Sequence, residues 1–173
     1  MRGRWAQGLE PRFFSWVIKD RLAGSERPGG SARNHRKVRR QEELIWLRQH
    51  SFTHVISLLD SPHNLHAYDE AEIEYLHVPL GRNDERVARL GAIYSTIARF
   101  LDDPSERLLV HHEEFGDRII GVFAGYLIYS GLIREGPHAI QALENQTGRQ
   151  MGRVGREIVA TTLDEGLARV RAE

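Results

Sequence analysis

Short apolar runs alternate along the chain with longer stretches of helical periodicity. The first run, 13–18, reads Phe-Phe-Ser-Trp-Val-Ile and is closed by Lys19, Asp20 and a cluster of Gly24, Pro28, Gly29 and Gly30. It predicts one strand and then a loop. Residues 34–50 are charged at the start and carry Leu44, Ile45 and Leu47 near the end, which predicts a helix docked by its C-terminal half, its basic start solvated. The β-branched run 53–59, bounded by Asp60, Ser61 and Pro62, suits a buried strand, and a second follows at 73–78. Val87, Leu90, Ile93, Ile97, Phe100 and Leu101 recur at spacings of three and four, so 86–102 is an amphipathic helix whose stripe is core. Residues 107–111 form another apolar strand, and 118–129 is apolar nearly all round, as a buried helix would be. Gly136 and Pro137 open a helix over 138–146 that Gly148 ends, and a last helical stretch covers 155–170. Strands alternating with helices predict an α/β fold with a short, mostly parallel central sheet flanked by helices.

A length of 173 residues suits one domain, divided here into a tail at 1–10, a domain at 11–152 and a C-terminal helix at 153–173 packed on or extending it. With 24 basic and 24 acidic residues the formal net charge is zero. No global field draws nucleic acid or anionic lipid, so the expected partner is a protein or a small molecule, with no membrane. The longest apolar stretch, 119–133, is broken by glycines and falls short of the roughly 20 residues a bilayer needs. The first ten residues have two arginines but no apolar run behind them, so a cytoplasmic location is expected. The cysteine count of zero carries the most weight, because it excludes disulfides, thiolate metal sites and any cysteine nucleophile.

Candidate chemistry concentrates where the strand at 107–111 feeds the buried helix, the position at which open α/β sheets build sites. The connecting residues are His112, Glu113, Glu114, Phe115, Gly116 and Asp117, followed by Arg118. His111 and His112 are neighbours at a strand end and point to opposite sides, so one faces the loop and the other makes a structural hydrogen bond beneath it. No cofactor is expected. Imidazole with carboxylates does suit zinc, iron or manganese, so His112, Glu113, Glu114 and Asp117, joined by Asp84, are a conceivable ligand set, although their spacing matches no metal motif. His63 and His66, three apart, are a weaker ligand pair. Arg33, Arg36, Lys37, Arg39 and Arg40 form a basic run that Glu42 and Glu43 blunt, and it reads as a solvated helix face.

Residues 110–118, Val-His-His-Glu-Glu-Phe-Gly-Asp-Arg, resemble the His-Cys-x5-Arg signature of the dual-specificity branch of the protein tyrosine phosphatase superfamily. His112 stands where that family keeps its cysteine. The run Ala124-Gly125-Tyr126-Leu127-Ile128 is similar to its buried helix, and 16–18 with 22–25 to its opening strand and turn. Residues 53–59 and 75–80 resemble the strands before its general-acid loop, so the likeness covers roughly 13–152.

The resemblance implies a phosphate-binding loop at 112–118, with Arg118 as oxyanion clamp and Asp84 at the general-acid position. The family's hydroxyl after the arginine is replaced by Ile119 and the next glycine by Ile120, while Phe115 stands at a usual glycine. Glu113, Glu114 and Asp117 would each oppose an entering phosphate charge by roughly 2 kcal/mol at about 8 Å and an effective dielectric near 20. Two readings follow. One is a non-catalytic pseudophosphatase acting as a binding or regulatory module; the other is a phosphoric ester hydrolase using His112 as nucleophile or metal ligand. On the first, Arg118 should be held by the carboxylates around it.

Overall fold

The computed structural model describes residues 8–62 and 65–170. They fall into two compact units, 8–79 with Ser105–Phe115 and Leu80–Pro104 with 116–170. The expected N-terminal tail lies outside the described residues over 1–7, as do His63 and 171–173.

The first unit holds the sheet. Its strands are β1 (Ser15–Ile18), β2 (Leu22–Ser25), β3 (His54–Ser57), β4 (Glu74–His77) and β5 (Leu108–His111), ordered β1-β2-β5-β3-β4. Only β1 runs antiparallel, against β2; the other pairs are parallel. The expected loop after β1 is thus partly a strand. Asp20 adopts φ 63° in a tight turn, and Leu22, Ala23, Gly24 and Ser25 are all buried between β1 and β5. Small residues fill that central position, so no β-branched run marks it in the sequence.

Two helices belong to this unit, α1 (Lys37–Gln49) and α2 (His66–Glu70), the latter in a stretch for which the sequence predicted no element. Leu44 and Leu47 dock as expected with Ala23, Val55 and Leu109. The basic start is not wholly solvated, because Arg40 and Glu43 are also buried. They share a face with Leu44 and Leu47 through spacings of three, four and seven.

The second unit holds α3 (Arg86–Leu101), α4 (Asp117–Tyr129), α5 (Gly136–Thr147) and α6 (Arg153–Asp164). In α3 the stripe buries Leu90, Ile93 and Ile97, joined by Tyr94, while Val87 at its start stays 40% exposed. Helix α4 packs closely on α6: a Cβ on Gly121 would lie 2.6 Å from the Gly155 Cα. The Tyr94 hydroxyl, 2.9 Å from that of Thr162, ties α3 to α6. The last helix stops at Asp164, six residues short of the expected end. Gly166 takes φ 60°, and the N–H of Leu167 turns back to the Thr162 carbonyl at 3.0 Å, a Schellman-type stop. No helix among the described residues is long and apolar enough to cross a membrane.

Candidate functional site

The loop between β5 and α4 begins in the first unit and ends in the second, and the side chains of each part have partners of their own. On the sheet side, the parallel register sets His111 opposite Ser25 of β2 and Ser57 of β3, at the carboxyl end of the central strand. The His111 ring is fully occupied. Tyr68 O–H faces Nε2 at 3.0 Å, and Nδ1 faces the His112 carbonyl at 3.2 Å. A carbonyl only accepts, so Nδ1 carries the proton and Nε2 accepts from tyrosine. This is the structural hydrogen bond expected beneath the loop. Burial pushes the His111 pKa down to about 3, and burial likewise raises that of Tyr68.

A stability consequence follows. Below the ordinary histidine value of 6.5 the unfolded chain binds a proton that the buried ring refuses down to about 3. The unfolded state then holds more protons, so this contribution is complete above 6.5 and is lost as pH falls, by roughly 1.4 kcal/mol per pH unit. Urea unfolding should show reduced stability at pH 5 relative to pH 7, and His111→Gln should flatten that difference. An equal drop in the variant would assign it elsewhere.

Beyond the strand, His112 is half-buried, Glu114 is exposed and Phe115 is buried at 3% exposure. Glu113 reaches Arg27, whose Nη1 lies 3.4 Å from both carboxylate oxygens.

On the helix side, Gly116 is the N-cap of α4. The Asp117 carboxylate accepts the N–H groups of Gly152 at 2.6 Å and Gly155 at 2.7 Å, so it caps the start of α6. Arg118 is exposed and lines a shallow cleft with Gly81, Arg82, Asn83, Arg86 and Ile158. Asp84 is exposed in the short turn Asn83–Glu85 ahead of α3, and Asn83 rather than Asp84 lines that cleft.

One expectation changes. No carboxylate among the described residues pairs with Arg118, because Asp117 is drawn to α6 and Glu113 to Arg27. Among the described residues no three His, Cys, Asp or Glu side chains are grouped as a metal site would require.

No protein-family model matches the chain, and no curated protein matches its sequence. Solved structures do match. Kinase associated phosphatase (KAP), in a form with its catalytic-site cysteine changed to serine, aligns at a TM-score of 0.72 and 18% identity over 92% of this chain and 98% of its own. Tk-PTP in its active form aligns at 0.67 and 19%, over 88% and 96%. The core catalytic domain of the PP-IP phosphatase SIW14 from S. cerevisiae, in complex with citrate, aligns at 0.66 and 11%, over 93% and 92%. The chain has the fold of the protein tyrosine and dual-specificity phosphatases.

This phosphatase fold contains no cysteine anywhere in its 173 residues. It also has two polar residues near its loop to which the sequence assigned no role, Arg27 and His35, while Arg40, read as part of a solvated basic run, is buried. The signal for Arg40 was present in its helical spacing to Leu44 and Leu47. Arg27 and His35 lie in an irregular segment with no periodicity to reveal them.

Proposed function

We propose that this chain is a pseudophosphatase, a non-catalytic binding or regulatory module built on the phosphatase fold. The carrying observation is the strand–loop–helix at 110–118, with histidine at 112 and no cysteine in the chain. Thiolate attack on phosphorus has no residue to perform it. The loop's acidic side chains support the reading, since Glu113 is paired with Arg27 and Asp117 caps α6, both structural employments.

The alternative is an enzyme using His112 as phosphoryl nucleophile or metal ligand. Histidine attack would benefit from a clamped oxyanion, and Arg118 is the residue the resemblance offers for that. The test is hydrolysis of an aryl phosphate by purified protein, alone and with zinc, manganese or iron(II), beside His112→Ala. The module reading expects equal rates in every condition. A rate above that of His112→Ala would establish the enzyme.

A further inference from the structure

Within the second unit three arginines, Arg82, Arg86 and Arg118, line one cleft together with the buried apolar residues Leu80 and Ile158. The carboxylates nearby are spent elsewhere. Glu157 Oε2 stands 3.9 Å from Arg86 Nη1, too far for a hydrogen bond, while its Oε1 accepts from Arg153 Nε at 2.9 Å. Glu85 pairs with Arg89 at 3.2 Å, and Asp117 caps α6. Arg82 and Arg118, both exposed, pair with no carboxylate among the described residues. Arg86 is already held in place: its Nη2 donates to Asn83 Oδ1 at 2.6 Å, and its side chain is 16% exposed. A guanidinium ordered in advance costs a partner less to engage. Cations gathered over apolar walls also focus a field that draws anions.

The space inside the cleft decides what kind of anion. It encloses about 10 Å³, room for about one water. Sites for small molecules enclose roughly 300–1,000 Å³, so no such ligand is taken in here. A phosphoryl group, with its oxygens spread around phosphorus, does not fit inside either. A carboxylate is flat and lies against the fork of a guanidinium without entering a pocket. Neighbouring carboxylates on one extended chain can therefore meet these arginines at the surface, and arginine is among the residues that carry most of the energy of protein interfaces.

We infer that Arg82, Arg86 and Arg118 form the docking face for an acidic, unphosphorylated segment of a partner protein, one with Asp or Glu side chains in close succession. The family resemblance gives Arg118 a phosphate and assigns nothing to Arg82 or Arg86. The inference rests on the reading of the chain as a binding module and names the chemistry of its partner.

The test is fluorescence anisotropy of a labelled oligoglutamate peptide titrated with the full chain at low ionic strength, beside an oligoglutamine peptide. Oligoglutamate should bind and oligoglutamine should not. Arg82→Gln and Arg118→Gln should each weaken binding about tenfold. Both positions are exposed, so the variants should fold, as circular dichroism would verify. Arg99→Gln makes the same change of charge at an exposed position near the far end of α3, and should leave the affinity as it is. No binding by the parent, binding that survives either Arg82→Gln or Arg118→Gln, or an equal loss in Arg99→Gln would overturn the inference. Displacement of the peptide by inorganic phosphate at constant ionic strength would assign the cleft to a phosphoryl group and overturn it too. Catalysis is read separately, from aryl phosphate turnover: absent binding with absent turnover removes this inference and keeps the module, whereas turnover that depends on His112 removes the module reading itself.

Discussion

Asp117→Ala should lower the free energy of unfolding by about 3 kcal/mol, although its position alone suggests a ligand-facing loop residue. The carboxylate accepts two backbone N–H groups, from Gly152 and Gly155, at 2.6 and 2.7 Å. Hydrogen bonds to a charged group contribute about 1.5–3 kcal/mol each, and the exposed member of the pair counts toward the lower figure. Alanine also removes a negative charge from the N-terminus of α6, where the helix dipole favours it. Because Gly155 and Gly121 are packed against each other, a frayed start of α6 loosens its contact with α4 as well. Asp117→Asn, which keeps one acceptor, should lose about half as much. The measurement is the urea midpoint at constant slope, and a loss under about 0.5 kcal/mol for alanine would show that the cap is not stabilising.

The second large effect is a failure to gain activity. His112→Cys alone should leave kcat/KM on an aryl phosphate far below the ordinary enzyme range, which begins at about 10⁴ M⁻¹s⁻¹. Glu113 and Glu114 follow the substituted position directly, and nearby carboxylates raise a thiol pKa and repel a dianion. Arg27 offsets part of the first charge, whereas Glu114 is exposed with its full charge at the loop. Ile119, fully buried, cannot supply the hydroxyl that the family resemblance calls for after the arginine. The gain should require His112→Cys with Glu113→Gln, Glu114→Gln and Ile119→Ser together. Asp117 should stay in that combination, since neutralising it costs the cap on α6. A single variant reaching about 10⁴ M⁻¹s⁻¹ would refute the argument.

Sequence pattern located most of the elements because their cause is local. The runs around Val55, Leu76 and Leu109 are short, apolar and punctuated, and they became β3, β4 and β5. Gly148, the expected stop of α5, takes the left-handed φ 68° that ends a helix. Strand β2 was hidden because its place in the sheet is defined by β1 and β5, not by its own Leu-Ala-Gly-Ser. The loop's order from His112 to Arg118 was readable in one dimension, and its partners were not. Asp117 finds Gly152 and Gly155 across 35 and 38 residues, and Glu113 finds Arg27 across 86. Charge counting along the loop therefore placed three carboxylates against one arginine, whereas folding sends two of them elsewhere and leaves Arg118 exposed at its cleft.

The central claim is that no residue of this loop attacks phosphorus, and a single-turnover measurement tests it most directly. Protein in excess is mixed rapidly with an aryl phosphate, with and without zinc, and release of the aryl alcohol is followed beside His112→Ala. The prediction is no fast phase, with both proteins tracing the same slow line. A fast phase that converts the limiting aryl phosphate and is absent from His112→Ala would show attack that depends on His112 and contradict it.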